Sequence, residues 1–293
     1  MKSIFCLLLA VCSITAFGQT FEATSNSLAV DVGVQQPVAV EVDPMMMTLE
    51  ALGITTLPRY YALIIGVSEY KNAGARLVSL DQPAKDAERL YSILLEKYSF
   101  SKETVTLLKN PTSEDIINGF EHLAESATEK DNVLIFYAGH GSYDKVKGFG
   151  YWLPSDAKPD SRSAWISNSV IKDYIGAIKA KHTLLITDAC FSGSIFKSRS
   201  FESSRMRINE MYRDKSRKAM TSGNLTEVPD KSVFLKFFLK TLDENPDPFM
   251  PSSVLFNRIY EPILNNANTT PQFGVVQGAG DEGGDFLFFK KLK

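Results

Sequence analysis

Residues 132–142 read NVLIFYAGHGS, and residues 182–193 read HTLLITDACFSG. Each stretch begins with an apolar run of the kind buried in parallel sheets and ends in small residues around one reactive side chain. That side chain is His140 in the first stretch and Cys190 in the second. Because ligands bind at the carboxyl ends of strands in open parallel sheets, the two stretches predict an imidazole and a thiol at one sheet edge.

Further apolar runs and helical patterns alternate along the chain. Strands are predicted at four further places: 61–67, 105–108, 219–223 and 286–289. Helices are predicted from Pro83, behind a cap at Thr112, over 170–178, and over 232–242 and 253–265. Such alternation implies right-handed crossovers between parallel strands. The predicted fold class is therefore α/β, with a mostly parallel central sheet of about six strands flanked by helices in three layers.

Composition places the chain among ordinary globular proteins and excludes some partners. The 293 residues are 44% hydrophobic and 23% charged, and the net charge is −2. A chain without a global basic field is not expected to bind nucleic acid.

The first 18 residues predict a signal peptide. Lys2 precedes the apolar run 4–14, and residues 16–18 (AFG) form a cleavage pattern of small residues. We therefore expect an exported protein, periplasmic or secreted. The run is too short to span a bilayer and no later segment is longer, so no stable membrane insertion is expected. Lipid anchoring at Cys12 is the alternative, which the bulky Val11 disfavours.

Two further regions have a biased composition. Residues 19–58 contain five acidic residues and no Lys or Arg, which predicts an acidic extension or linker before a single domain over 59–293. Residues 197–218 contain eight basic residues and five serines, which predicts an inserted basic loop. A solvated surface loop without further function is the alternative interpretation of this segment.

Removal of the signal peptide leaves Cys190 as the single cysteine, so an internal disulfide cannot form. One interpretation is a small buried side chain, and the other is a nucleophile that His140 activates. Glycines at 139 and 141 would let a substrate carbonyl approach backbone N–H groups. His122 and His182 fall inside predicted elements and are interpreted as structural or exposed. HExxH, CxxC and GxSxG motifs are absent from the sequence and no GxGxxG follows the first strand, so neither a metal nor another cofactor is expected.

The runs YAGHGS and DACFSG resemble those of caspase-like cysteine peptidases, in particular metacaspases and their bacterial relatives. The caspase signature has its histidine about 50 residues before the cysteine, and here Cys190 follows His140 by 50 residues. The resemblance extends from about residue 60 to 289 through YALIIGVSEY, LVSLDQPAKDA, SRKAMTSG and GDEGGDF. It implies a caspase-like peptidase fold.

The resemblance also implies the roles of individual residues. His140 would be the general base and acid, Cys190 the nucleophile, and the backbone of Gly141 and Cys190 the oxyanion hole. Asp188 and Asp86 would pair with the arginine or lysine that precedes the scissile bond. For Asp86, stabilisation of a helix N-terminus is the alternative role.

The predicted function is that of an exported cysteine endopeptidase which cleaves protein or peptide substrates after Arg or Lys and processes itself in the basic loop. The carboxylates of calcium-dependent metacaspases are replaced here by Phe196-Lys197 and by SNS at 167–169, so calcium-independent activity is expected. Two alternatives remain open. One is an inactive caspase-like binding or scaffold protein, and the other is a doubly wound binding protein with a merely buried Cys190. The sequence predicts no oligomeric state.

Overall fold

The computed structural model of the chain describes residues 49–50, 53–54, 57–189, 195–197, 208–223 and 231–291. The predicted signal peptide 1–18 with Cys12, most of the acidic extension 19–58, and Cys190 itself lie outside the described residues.

Within these residues the strands, numbered in chain order, are β1 (Tyr60–Gly66), β2 (Val105–Lys109), β3 (Asn132–Ala138), β4 (Gly141–Asp144), β5 (Phe149–Trp152), β6 (Ile166–Ser167), β7 (His182–Asp188), β8 (Phe196–Lys197), β9 (Ser216–Thr221), β10 (Phe249–Pro251), β11 (Gln272–Val276) and β12 (Leu287–Phe289). The helices are α1 (Pro83–Lys97), α2 (Ser113–Ser126), α3 (Asn168–Ala177), α4 (Ile208–Arg213), α5 (Val233–Asp243) and α6 (Ser252–Leu264), with a 3₁₀ turn at Arg162–Ala164.

The central sheet has the strand order β2-β1-β3-β7-β9-β11-β8. The first five strands in this order are parallel, β11 is antiparallel to β9, and β8 adds two residues at the far edge. The prediction of a mostly parallel α/β sheet is therefore confirmed. The predicted closing strand does exist as β12, but it pairs with β10 outside the central sheet. A third small sheet, β4-β5-β6, was not predicted.

Helices cover both faces of the sheet and give three layers. The strands β1, β3 and β7 are buried along their whole length, and their side chains alternate between two apolar clusters. Leu134, Phe136 and Ala138 pack with α1, α5 and α6 on one face. Val133, Ile135 and Tyr137 pack with α2 and α3 on the other face. The alternation decides on which face of the sheet each later side chain lies.

Strand β9 begins three residues earlier than predicted and contains two cationic side chains. Arg217 and Lys218 are buried, although the sequence had placed them in the basic loop. The Arg217 guanidinium donates to the carbonyl of Ala180 at 2.8 Å, and Lys218 Nζ lies 3.2 Å from Asp281 Oδ2. The prediction of a loop up to Lys218 is wrong for this part, because backbone carbonyls accept from the Arg217 guanidinium and the Asp281 carboxylate pairs with Lys218.

No helix among the described residues is both long enough and apolar enough to cross a membrane.

His182, the first residue of β7, is fully buried and supports the packing of β9 and α4. Its Nε2 lies 3.1 Å from the Tyr212 carbonyl oxygen, which can only accept, so Nε2 carries a hydrogen. Nδ1 is left to accept from Ser216 Oγ at 3.0 Å. Burial lowers the pKa of His182 from 6.5 to about 3. The interpretation of His182 as structural agrees with these contacts, and His122 is exposed on α2.

We expect His182 to make the fold acid-sensitive. The unfolded chain takes up a proton on this imidazole near pH 6.5, whereas the folded chain does not until about pH 3. Stability is therefore lost as the pH falls through this window, by up to about 1.4 kcal/mol per pH unit. In urea unfolding from pH 7 to 4.5, His182→Gln should lose less free energy of unfolding than the wild type. His122→Gln should match the wild type, and equal pH slopes for all three proteins would contradict the assignment.

Candidate active site

The site lies at the carboxyl edge of the central sheet, where three strands end in register. Gly66 of β1 pairs with Ala138 of β3, and Ala138 pairs with Asp188 of β7. A Cβ on Gly66 would lie 2.5 Å from the Pro83 carbonyl oxygen, so only glycine lets the start of α1 approach the strand this closely. The carboxyl ends of β1, β3 and β7 therefore lie side by side, and the first turn of α1 packs against the end of β1.

The backbone around His140 is held by two tyrosines. Gly139 has φ 154°, and a Cβ there would lie 3.1 Å from Tyr137 Oη and 3.2 Å from Tyr70 Oη. The His140 N–H donates to Tyr70 Oη at 2.8 Å, and Tyr137 Oη donates to the His140 carbonyl at 2.7 Å. The rings of Tyr70 and His140 are also in contact, with centroids 5.1 Å apart. These contacts fix the imidazole at the end of β3.

A backbone carbonyl sets the tautomer of His140. Nε2 lies 2.8 Å from the Val78 oxygen, and because a carbonyl only accepts, Nε2 must carry the hydrogen. In the neutral ring, Nδ1 is then the basic nitrogen. Orientation of a base by a third group is the arrangement that nucleophilic catalysis requires. Val78 lies in the segment between β1 and α1, 62 residues before His140.

The N–H group of Gly141 points away from β5. Leu153 N–H donates to the His140 carbonyl, which makes this pair a hydrogen-bonded one in the β4-β5 register. Because hydrogen-bonded and non-bonded pairs alternate in antiparallel strands, the Gly141–Trp152 pair is of the non-bonded kind. The Gly141 N–H therefore takes no part in the β4-β5 ladder.

Asp188 is a buried carboxyl group at the end of β7, with 3% of the residue exposed. It belongs to the same face as Leu184 and Ile186, which is the face that α1 covers. Burial raises its pKa from 3.8 to about 6, and the hydroxyls of Ser222 and Ser232 oppose part of this rise. Among the described residues, Asp188 Oδ1 has no hydrogen-bond partner. A buried acceptor without a donor is the condition that a cationic ligand would relieve.

Asp86 lies in the first turn of α1 and is half-buried. This turn packs over the end of β1 on the same face as Asp188. The position is compatible both with contact to a substrate cation and with stabilisation of the helix N-terminus.

The structure brings His140, Gly141, Asp86 and Asp188 to one edge of the sheet. Cys190 follows Asp188 by two residues in the chain and lies outside the described residues. Among the residues that are described, no group of three or more His, Cys, Asp or Glu side chains could hold a metal ion.

The sequence did not indicate Tyr70 and Val78. Tyr70 stands in the quoted run YALIIGVSEY, but a tyrosine at a strand end has no pattern that predicts a contact 70 residues away. The contribution of Val78 is a carbonyl, which every residue has.

Comparisons with known proteins support the fold and the family of this chain. Metacaspase-4 of Arabidopsis thaliana is 26% identical over 153 residues, which are 46% of this chain and 34% of that protein. The chain thus spans about a third of the length of this curated relative. Among solved structures, Caspase-1 of Spodoptera frugiperda has a TM-score of 0.53 at 17% identity and covers 75% of this chain and 87% of that one.

The Drosophila initiator caspase Dronc has a TM-score of 0.51 at 11% identity, with 76% of this chain and 81% of that chain covered. At these identities, the two solved structures support the fold alone. Residues 59–246, more than half of the chain, match the family model of the caspase domain. The chain therefore belongs to the caspase-like peptidase family.

Proposed function

We propose that this protein is an exported cysteine endopeptidase that cleaves after Arg or Lys, with His140 and Cys190 as its catalytic dyad. The observation that carries the specificity is Asp188, a buried carboxyl with an unpartnered oxygen among the described residues. It stands on the strand that leads to Cys190 and pairs with the strand that leads to His140. The predicted signal peptide 1–18 supports export.

The proposed reaction uses His140 as base and as acid, first in acylation and again in hydrolysis of the thioester. Its Nδ1 takes the thiol proton of Cys190, and the thiolate attacks the carbonyl carbon of the scissile bond. The oxyanion of the tetrahedral intermediate accepts from the N–H groups of Gly141 and Cys190. The imidazolium then gives its proton to the leaving amine as the C–N bond breaks. Water then loses a proton to His140 and attacks the thioester, the C–S bond breaks, and the imidazolium returns its proton to the leaving Cys190 thiolate.

Val78 and Tyr70 act as positioning groups in this mechanism. The Val78 carbonyl holds the Nε2–H, so Nδ1 remains the nitrogen that exchanges the proton. It also faces the positive charge of the imidazolium when the ring is doubly protonated. Tyr70 holds the backbone of His140 through the bond from its N–H.

Because Asp188 is buried, it favours a cationic over a neutral side chain for the substrate residue that precedes the scissile bond. Burial raises the pKa of the empty site to about 6, which means that ionisation of this carboxyl costs the free protein stability. A guanidinium has several N–H donors in a fixed fork and would give the carboxylate a charged hydrogen-bond partner. A lysine ammonium supplies the charge without the fork, so arginine should be preferred.

The specificity can be tested with fluorogenic arginyl, lysyl and aspartyl peptides. The wild type should hydrolyse the arginyl and lysyl peptides but not the aspartyl peptide, and Cys190→Ala should hydrolyse none. Asp188→Asn should lower kcat/KM for the arginyl peptide by at least about 30-fold, because a buried charge pair loses one partner. Asp86→Asn is the companion variant, which loses activity only if Asp86 contacts the substrate.

Two results would contradict the proposal. Cleavage after aspartate would overturn the specificity. Absence of hydrolysis by correctly folded wild type, together with retained peptide binding, would favour the inactive binding or scaffold protein.

The cost of burying Asp188 predicts a pH-dependent gain in stability for Asp188→Asn. A folded-state pKa raised to about 6 means that the wild type loses stability as the pH rises from about 4 through 6. In a Cys190→Ala background, the gain in free energy of unfolding that Asp188→Asn brings should grow over this range. It should reach at most about 3 kcal/mol and stay constant above pH 7. A gain that does not vary with pH would contradict a buried neutral carboxyl.

Self-processing in the basic segment is part of the proposed function, and the sheet limits where it can occur. Arg217 and Lys218 are buried in β9, between β7 and β11, and cannot enter an active site without unfolding the sheet. We expect cleavage after a basic residue before Ser216. The fragments should stay together, because β9 lies inside the sheet.

N-terminal sequencing tests this expectation. New N-termini that begin between residues 198 and 216 should appear in the wild type and be absent from Cys190→Ala. A new N-terminus after Arg217 or Lys218, or an intact band in both proteins, would contradict it. A native gel should show the cleaved wild type as one species.

A further inference from the structure

A cleft of about 490 Å³ opens beside His140 and Gly141. It lies between the segment that contains Val78, the start of β4 and the residues that lead to β6. We call it the His140 cleft. Its apolar lining consists of Ala75, Leu77, Val78, Leu153, Pro159 and Trp165.

The His140 cleft has an apolar floor, and the polar residues Arg76, His140 and Ser142 also line it. Leu77 and Leu153 are buried, and 55% of Val78 is exposed although it is a large apolar residue. Arg76 pairs with the exposed Asp160 at 2.6 Å. Their opposite charges cancel there, so the cleft does not have the acidic character of the Asp188 site.

The cleft and Asp188 lie on different sides of the sheet edge. Leu77 and Leu153 belong to the apolar cluster that α2 and α3 cover. Asp188 continues the row of Leu184 and Ile186, which belongs to the opposite cluster. A peptide whose basic side chain reaches Asp188 must therefore pass His140 before it reaches the cleft.

We propose that the His140 cleft binds the side chain of the residue that follows the scissile bond, and that it selects an apolar side chain. This inference rests on the proposed function. The leaving amine takes its proton from His140, so its nitrogen must come within hydrogen-bond reach of the imidazole. That nitrogen belongs to the residue after the scissile bond, whose side chain begins two bonds further on. His140 and Gly141 themselves line the cleft.

The lining selects by burial of apolar surface. A leucine or phenylalanine side chain would cover the exposed part of Val78 and contact Trp165, which favours binding by removing both surfaces from water. Glycine gains nothing from the cleft, and aspartate would lose its hydration against an apolar floor. An apolar pocket of this kind discriminates by about tenfold or more in kcat/KM.

The test uses internally quenched peptides that are identical except for the residue after arginine, which is Leu, Phe, Gly or Asp. The wild type should cleave the Leu and Phe peptides about tenfold faster than the Gly and Asp peptides, measured as kcat/KM. Ala75→Phe places a ring in the cleft from an exposed position and should abolish this preference. Ala73→Phe is the matched control, since Ala73 is exposed in the same segment but does not line the cleft. Trp165→Ala should also weaken the preference, from the opposite wall.

An arginyl methyl ester, whose leaving group is methanol and leaves the cleft empty, separates the two proposals. All three variants should hydrolyse it at the wild-type rate. If it is cleaved while the four peptides react equally, or if Ala75→Phe keeps the preference, the assignment of the cleft is overturned and the proposed function stands. If the ester is not cleaved either, the proposed function fails and the cleft assignment fails with it.

Discussion

The pairing of β3 with β7 is the constraint on which the site depends. Seven consecutive residue pairs join these strands, from Asn132 with His182 to Ala138 with Asp188. Both strands are buried on both faces, so a slip by one residue would move every apolar side chain to the wrong cluster. The packing of the core thereby fixes which residue of each strand lies at the edge of the sheet. The position of Asp188 relative to His140 follows from this register rather than from any direct contact.

Continuous apolar strands and strong helix starts were predictable, and short or half-exposed elements were not. The runs at β1 and β3 are almost entirely apolar, the apolar part of β7 is flanked by Thr183 and Thr187, and Thr112 forms a complete capping box with Asp115 at the start of α2. By contrast, β4 to β6 have two to four residues each, too few for a periodic pattern. The start of β9 was missed because the Ala180 carbonyl accepts from Arg217 and Asp281 pairs with Lys218, and no local pattern connects these partners to the two cations.

The candidate site was predictable where its chemistry resides in side chains at strand ends. His140 and Asp188 each follow an apolar run and stand among small residues, so their location at one edge could be deduced before any coordinates. The groups that orient His140 could not be deduced. Tyr70 and Val78 come from a segment more than 60 residues earlier, and the fold brings them to the imidazole through the crossover from β1 to α1. Val78 acts through its backbone carbonyl, which every residue has, so the residue type gives no sign of this contact.

The two sides of the sheet edge differ in electrostatic character, and under the proposed function this difference would orient a substrate. At Asp188 the protein keeps a carboxyl in an apolar face at a cost in stability, and a bound cation would relieve that cost. At the His140 cleft the charges of Arg76 and Asp160 cancel, and apolar surface is left uncovered. Under the proposed function, a basic side chain gains on one side only, and an apolar one gains on the other. A peptide bound in the reverse direction would expose its apolar side chain to the carboxyl and its cation to the apolar floor, so the proposed selection of residues would also select chain direction.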